Sequence, residues 1–403
     1  MKIMKLSFVI TALLGAVASV HASTCSVPSA GYPTIQAAVD DTTCSTINVA
    51  PGVYAENVSV SRAVTLSGAQ AGQPVASRTS GGPSESTVIG ANPAGPSPVF
   101  LVNASSVTID GFTIKNTVVT GTALGVEVDS GSVDAVMIND FFDGIESAAG
   151  AARAIYVQNG VSNVNINNND IRNLSASADA SALLVGDNNS TTGTEYCFMH
   201  HNTVSGITSL AGGAAAAVYR KVAVIPSAIE FQNNTVTNLA GAASARGVSL
   251  ECDALTFLIA FNDFSGFSSA AADVTGVWIN NNPHGYEGEA GGNNFDLPAT
   301  AFGVKVQNAD AAVYPPPLSA GCNWWGSADG PGPVGPGHGC RVSSGVFYFN
   351  WRVTPDHLAP CNGSSAPITE SDCKSGGWIT HVRPDGSVFK SQGDCIQFVN
   401  NGH

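Results

Sequence analysis

The chain has 403 residues, of which 11% are charged and 7% aromatic, and its formal net charge is −14 with histidine neutral. Nucleic acids and anionic membranes bind clustered lysines and arginines, so this composition excludes both as partners, and it disfavours less strongly a groove for polyanionic sugars. The 44 glycines leave fewer large apolar side chains than a conventional globular core needs, whereas a solenoid tolerates such a composition.

Residues 1–22 have the pattern of a signal peptide. Lys2 and Lys5 precede an apolar run over residues 6–20, and Val20-His21-Ala22 is a small-x-small cleavage signal. Removing both lysines takes the formal charge from −14 to −16. No later apolar stretch reaches about 18 residues. The sequence therefore predicts a secreted or periplasmic protein that is exported by a bacterial signal and is not embedded in a membrane.

The mature chain is predicted to begin with a lid. From Thr34 to Asp40, apolar residues recur at i, i+3 and i+4, which indicates a short amphipathic helix. Strand-like runs follow, first within residues 46–58 and then within residues 64–68. Residues 69–98 are rich in Gly, Pro and Ser and are predicted to form a loop, after which strand-like runs resume.

One pattern then returns seven times between Gly125 and Val306: a small residue, an apolar residue, any residue and an apolar residue. The intervals between repeats are 29, 28, 35, 30, 29 and 27 residues. A fixed period of this length indicates a solenoid. The first apolar members are Val126, Ile155, Leu183, Val218, Val248, Val277 and Val304.

A second apolar column follows four of these repeats and leads into an asparagine each time, at Asn169, Asn202, Asn234 and Asn262. Stacked asparagines can bond to one another at a tight corner, and asparagine tolerates the left-handed backbone that such a corner needs. Each apolar segment alternates at period two over three or four residues, which indicates short strands with one buried face. We therefore predict an all-β fold, a right-handed parallel β-helix over residues 23–359, with coils about 4.8 Å apart.

The predicted solenoid ends near Cys322-Asn323-Trp324-Trp325-Gly326, where two tryptophans can cover the last rung. Sugar binding by these tryptophans is the alternative. Residues 360–366 have the composition of a linker. Residues 367–403 form a small cysteine-bounded unit, which needs a covalent staple at this size.

Nine cysteines suit an oxidising compartment. The preferred pairs join cysteines that flank one segment each, and the remaining three cysteines leave at least one thiol free. No CxxC pair is present, which argues against a zinc or redox site, and no metal-binding residues are predicted. The predicted pairs are Cys25 with Cys44, Cys322 with Cys340 and Cys373 with Cys395.

Two segments resemble one family. Residues 32–39 and 47–56 are similar to the first coil of right-handed parallel β-helix proteins of the pectin lyase-like superfamily, and Asn323-Trp324-Trp325-Gly326 resembles a closing motif of bacterial members. Residues 52–56 also match the first short motif of pectinesterases, but the later catalytic motifs are absent. Residues 373–399 resemble a short C-terminal motif of assorted exported bacterial proteins.

Enzymes on this scaffold are mostly polysaccharide lyases, hydrolases or esterases, so the resemblance implies an outward-facing site. A lyase would need calcium held by clustered acids together with a base, and a hydrolase would need spaced carboxylates. No cofactor is evident from the residues, because the outward-facing positions of the two apolar columns never place acids on successive coils, as a calcium site would need. Gly337-His338-Gly339 is similar to a polygalacturonase motif but follows the solenoid. His200-His201 and His284 with Glu287 and Glu289 fit solvated turns better than sites.

The third residue of the repeated pattern is predicted to face outward. It is aromatic at Tyr156, Tyr219 and Trp278, which are two coils apart each. Rings about 10 Å apart can stack on the apolar faces of a sugar chain, although burial under a neighbouring loop is the alternative. The first functional hypothesis is a binding protein that contacts extracellular or cell-surface polysaccharide. The rivals are a polysaccharide lyase or glycoside hydrolase built from outward-facing residues, and a structural or adhesin-like stalk.

Overall fold

A computed structural model describes residues 23–401, apart from 93, 96, 187–194, 221–226, 253–254, 282–285, 308–317, 333–336, 349, 362–368, 375, 380, 382 and 384–388. In that part of the chain the strands form three parallel sheets, named here A, B and C, with 12, 10 and 10 strands. The chain visits one strand of each sheet per coil. The predicted all-β fold, a right-handed parallel β-helix, is confirmed.

The strands of each sheet stack in the order of the coils, and their bounds are as follows. Sheet A contains Ser23–Val27, Cys44–Val49, Val64–Ser67, Val107–Asp110, Val136–Ile138, Val164–Asn167, Glu195–His200, Ser227–Gln232, Leu255–Ala260, Tyr286–Glu289, Leu318–Ser319 and Val346–Phe347. Sheet B contains Gly52–Ala55, Ser86–Ile89, Phe112–Val118, Phe141–Ser147, Asp170–Ala176, Thr203–Ser209, Thr235–Gly241, Asp263–Ser265, Ser268–Ser269 and Asn294–Asp296. Sheet C contains Val58–Val60, Pro98–Val102, Ala123–Val128, Ala152–Val157, Ala180–Val185, Ala214–Arg220, Ser244–Cys252, Val274–Asn281, Phe302–Gln307 and Arg341–Val342.

The seven first apolar members of the repeat form one interior row, as predicted. Each pairs in parallel with its equivalent in the next coil, and each is 0% exposed. Complete burial of a valine, leucine or isoleucine side chain stabilises a fold by about 1.5–3 kcal/mol relative to exposure. This row is therefore a main source of stability along the solenoid axis.

The asparagine ladder is confirmed and is longer than predicted. The amide N–H of Asn169 donates to Oδ1 of Asn202 at 2.9 Å, and the contact repeats from coil to coil. Asn293 and Asn323 continue the ladder, and Asp140 begins it. All these residues are buried.

We expected the ladder asparagine to have the left-handed backbone conformation at the corner. In the structure, the residue before it has this conformation instead. Asparagine or glycine fills most of these positions, as the positive φ favours. His201, Phe261 and Cys322 are exceptions, with φ of 56°, 58° and 59°. Other members of this column are Asn139, Asn168, Asn233 and Gly292.

The repeat begins with a small residue because a larger one would clash with side chains in the interior. A Cβ added at Gly247 would lie 2.5 Å from the ring of Phe264, and one added at Gly276 would lie 2.5 Å from the ring of Phe295. Phe264 and Phe295 stack with centroids 5.4 Å apart, and Trp325 extends the stack at 5.3 Å. Glycine therefore leaves room for the rings that fill the interior.

Helix α1, Ile35–Asp40, closes the first coil as predicted. The Thr34 hydroxyl accepts the amide of Ala37 at the N-terminus of the helix. Ile35, Ala38 and Val39 are buried against the first strands. The helix thus covers the apolar interior that a solenoid would otherwise expose to water.

Residues 69–98 are not the simple loop that their composition predicted. They include a short 3₁₀ helix, Val75–Ser77, and the strand Ser86–Ile89, which joins sheet B. A buried ion pair joins Arg78 Nη2 to Glu85 Oε2 at 2.6 Å. Four-residue strands between Gly and Pro carry too little periodicity to be seen in the sequence.

Trp325 is 0% exposed and closes the far end of the interior, which confirms the predicted cap for this residue. Trp324 is half-buried and lies on the outward side of sheet B. Three disulfides join Cys25 to Cys44, Cys322 to Cys361 and Cys373 to Cys395.

The predicted pair of Cys322 with Cys340 is wrong. Cys322 pairs with Cys361 across a Cα–Cα distance of 5.0 Å. Cys340 is buried instead, where its sulfur lies 2.8 Å from the point that a Cβ on Gly303 would occupy. Its side chain faces the interior, so it cannot reach a cysteine on the surface.

The C-terminal unit contains α2, Glu370–Cys373, the 3₁₀ helix Gly377–Ile379, and α3, Gln392–Asn401. Cys373, Cys395 and Phe389 form its own buried cluster. The predicted linker and the predicted signal peptide lie largely outside the described residues and stay predictions. No helix in the described ranges combines the length and the apolar character needed to cross a membrane.

Candidate functional site

The outward row of sheet C forms as the repeat predicted. Strand register places Tyr156, Tyr219 and Trp278 in one line, with one coil between each pair of aromatic residues. Leu184 and Ser249 occupy the intervening coils. Two steps of about 4.8 Å separate neighbouring rings along the stack.

Tyr156 and Tyr219 are half-buried, so part of each ring faces the surface. The Tyr219 hydroxyl donates to Oε1 of Glu251 at 3.2 Å. Burial, with the nearby Glu251 carboxylate, raises the pKa of Tyr219, so this hydroxyl stays protonated and serves as a donor.

Trp278 is less accessible, at 4% exposed. The Arg246 guanidinium lies 4.0 Å from the centroid of a Trp278 ring, and the indole N–H donates to Gln307 at 3.2 Å. Leu184 and Ser249 are also buried. The two tyrosines of the row are therefore partly exposed, while Trp278 is largely covered.

Basic residues lie beside the aromatic residues of sheet C. Arg153 lies 5.3 Å from the centroid of the Tyr156 ring. Arg246 forms an ion pair with Asp273 at 2.7 Å, and Lys305 lies 3.9 Å from the same carboxylate. A guanidinium group is attracted to the face of an aromatic ring, so these contacts hold the arginines against the row.

Two acids of this face are bonded to neighbouring side chains. Glu127 accepts the side-chain amide of Gln158 at 2.6 Å, and Asp273 is held by Arg246. No three His, Cys, Asp or Glu side chains converge on a possible metal position in the described ranges.

Two of the histidines considered in the sequence, His200 and His338, each contact one carboxylate. His200 Nε2 lies 3.5 Å from Glu230 Oε2, and burial lowers the pKa of His200. His338 Nδ1 contacts Asp329 Oδ2 in an exposed loop beyond the sheets. Glu287 and Glu289 are exposed, whereas His284 lies outside the described residues.

The outward face of sheet B was missed by the sequence reasoning. Arg172 bridges Asp143 at 3.4 Å and Asp170 at 3.2 Å, and it lies 4.9 Å from the centroid of the Phe141 ring. Burial raises the pKa of Asp170. The sequence contained a signal for this face, because Asp143 follows the buried Phe142, and Asp170 and Arg172 lie on either side of the buried Ile171.

A cleft of about 360 Å³ lies at the far end of the same face. We name it the sheet B cleft. Its walls are Asp263, Phe264, Ser265, Asn294, Asp296, Trp324 and Pro355. Among these residues, only Trp324 was considered for ligand binding from the sequence.

Comparison with known proteins gives no relative for this chain. No family model, no curated protein and no solved structure matches it. The pectin lyase-like resemblance therefore rests on the segments quoted above and on the β-helix fold.

Proposed function

We propose that this is an exported β-helix protein that binds extracellular or cell-surface polysaccharide along the outward face of sheet C. The observation that carries the proposal is the register that places Tyr156 and Tyr219 in one row, two coils apart. Three disulfides among the described residues are consistent with an oxidising compartment outside the cytoplasm.

The spacing suits an extended sugar chain. Rings about 10 Å apart can each cover the apolar face of a sugar ring, while the intervening sugar spans the coil that contains the buried Leu184. The Arg153 guanidinium beside Tyr156 supplies donors to hydroxyl groups at the same level. Because the whole chain has a formal charge of −14, we expect neutral polysaccharides to bind better than polyuronates.

A glycan array tests the proposal. The variant Tyr156→Ala with Tyr219→Ala should lose at least tenfold in affinity, because both stacking surfaces are removed. Tyr196→Ala is the matched control, since Tyr196 is a 42% exposed tyrosine on a strand of sheet A. Thermal denaturation verifies that all variants are folded.

Equal binding by the double variant and the parent would refute a role for this row. Incubation of the parent protein with pectins, alginates and glycosaminoglycans, with and without calcium, tests the enzyme hypothesis through unsaturated and reducing ends. Silence in both assays is the outcome expected for a structural stalk.

A further inference from the structure

The sheet B cleft lies between the last strands of the sheet and a segment that returns over them. Asp263 and Ser265 face outward from one coil, and Asn294 and Asp296 face outward from the next. Pro355 belongs to the returning segment and forms the opposite wall. The cleft is thus built from three separate parts of the chain and lies on a different face from the tyrosine row.

The returning segment is held by a hydrogen-bond network. His357 Nε2 lies 3.1 Å from Asp263 Oδ1, and His357 Nδ1 lies 3.1 Å from the carbonyl of Gly292. Asn294 Nδ2 donates to Asp263 Oδ1 at 2.6 Å and to the carbonyl of Pro355 at 2.8 Å. These contacts fix the position of the Asp263 carboxylate.

The cleft is lined by two carboxylates, and one oxygen of Asp263 contacts His357 Nε2. The carboxylates are those of Asp263 and Asp296, and their Cα atoms lie about 8 Å apart because they are one coil and two residues from each other. Asp356 follows Pro355 on the returning segment and does not line the cleft. The Arg352 guanidinium is 0% exposed and donates to Asn294 Oδ1 at 2.8 Å, so it lies behind the wall rather than in the cleft.

One wall is apolar and aromatic. Trp324 is half-buried at the cleft, and Phe264 is 1% exposed beneath it. Aromatic side chains pack on the apolar face of a sugar ring, whereas carboxylates bind its hydroxyl groups and any ammonium group it carries. A volume of about 360 Å³ is at the lower end of the range for small-molecule sites.

We propose that the sheet B cleft binds a protonated amino sugar, with the ring against Trp324 and the ammonium group between Asp263 and Asp296. The carboxylates supply the charge complementarity, and the hydroxyl of Ser265 supplies a further hydrogen-bond partner. This site is independent of the polysaccharide row on sheet C.

Calorimetric titration with three matched tetramers tests the proposal at about pH 6, where a sugar amine is protonated. The probes are a glucosamine tetramer, an N-acetylglucosamine tetramer and tetralysine. We expect the glucosamine tetramer to bind at least tenfold more tightly than either of the others. Binding of all three, of both sugars equally, or of none would overturn the proposal.

Variants locate the site. Asp296→Asn should weaken binding of the glucosamine tetramer at least tenfold, and because this side chain is exposed the change leaves the fold intact. Asp356→Asn is the matched control, since it removes the same charge nearby but outside the cleft. Equal effects of both substitutions would indicate general attraction to an acidic surface and overturn the assignment.

The alanine variant of Tyr156 and Tyr219 should bind the glucosamine tetramer like the parent. A failure of polysaccharide binding on sheet C is therefore distinguishable from a failure at this cleft.

Discussion

At the scale of single residues, the ladder shows how one side chain can serve both the corner and the stack. Asn169 Nδ2 donates to the carbonyl of Met137 at 3.0 Å while its backbone N–H donates to Asn202. The amide group thus satisfies backbone carbonyls that the corner removes from water. An unsatisfied carbonyl at this depth would cost about 1–3 kcal/mol.

Asp140 occupies the first position of the ladder but has no amide nitrogen to donate. Its Oδ1 accepts the amide of Phe112 at 2.8 Å, whereas its Oδ2 is buried without a hydrogen-bond partner in the described structure. By equivalence with Asn169, we expect Oδ2 to face the carbonyl of Ile109, because Met137 pairs with Ile109. Two acceptors then meet unless the carboxyl group is protonated.

We expect Asp140→Asn to raise the free energy of unfolding by about 1–3 kcal/mol near neutral pH. Burial raises the pKa of Asp140, and Asp110 adds to the shift while Arg78 opposes it. The stability that the protonated carboxyl contributes is present below about pH 4 and is lost as the pH rises through the folded-state pKa. The gain from asparagine should therefore shrink in acid.

Urea denaturation of both proteins between about pH 4 and 7 measures this difference. Asn169→Asp is the converse substitution, and it should destabilise the fold with the same dependence on pH. If the parent protein is as stable as the asparagine variant at neutral pH, the unpaired Oδ2 of Asp140 does not destabilise the fold and this account of Asp140 is wrong.

Phe261 shows a local rule broken at the same corner. A left-handed backbone costs roughly 1–2 kcal/mol for an ordinary residue, and phenylalanine lacks the side-chain hydrogen bonds that help asparagine there. Its ring is 47% exposed and lies edge-on to His357, with centroids 6.3 Å apart. The sequence offers no reason for an aromatic residue at this exposed position.

At the scale of elements, α1 is attached to the solenoid by side chains that replace missing backbone partners. Glu56 accepts the amides of Ile35 and Gln36 at 3.0 and 3.1 Å, at the positive end of the helix. The Gln36 side-chain amide bonds to both the N–H and the carbonyl of Ser59. The first strand of sheet C thereby gains a partner along its open edge.

Arg62 completes this attachment at the C-terminus of the helix. Its guanidinium donates to the carbonyls of Val39 at 2.8 Å, Ala38 at 3.3 Å and Asp41 at 2.8 Å. We expect Arg62→Met to lower the free energy of unfolding by about 2–3 kcal/mol, because three hydrogen bonds from a charged group to carbonyls at the end of the helix are lost. Chemical denaturation gives the value.

Arg62→Lys is the control for charge alone. An ammonium group cannot reach three carbonyls in the same geometry, so the lysine variant should be intermediate in stability. If the methionine variant matches the parent, the guanidinium contacts contribute nothing to the lid.

At the scale of the whole molecule, the solenoid needs a closure at each end because every interior row would otherwise meet water. The first end is covered by α1 and stapled by Cys25 with Cys44. At the far end Trp325 fills the interior, and Cys322 with Cys361 ties down the returning segment. The returning segment supplies one wall of the sheet B cleft through Pro355.

Peptide mapping under non-reducing conditions should recover Cys322 linked to Cys361, and Cys340 as a free thiol. Cys340 is 0% exposed, and burial raises the pKa of its thiol, so an alkylating reagent should modify it only after unfolding. Recovery of Cys322 linked to Cys340 would contradict the closure described here.

The sequence alone determined the fold, because a period of about thirty residues, alternation within short strands and an asparagine at each corner have one physical solution. It also determined which face each repeat residue takes, since a strand has only two faces. The ladder at Asn293 and Asn323 went unnoticed because the apolar column before it is weaker.

Tertiary structure decided what depends on neighbours from distant coils. The partner of Cys322 follows from the path of the returning segment, and the burial of Trp278 follows from Arg246 above it. The cleft beside Trp324 gathers residues separated by as many as 92 positions, from Asp263 to Pro355. A repeat fixes the spacing of residues along one coil, but contacts between segments outside the repeat are fixed only when the chain has folded.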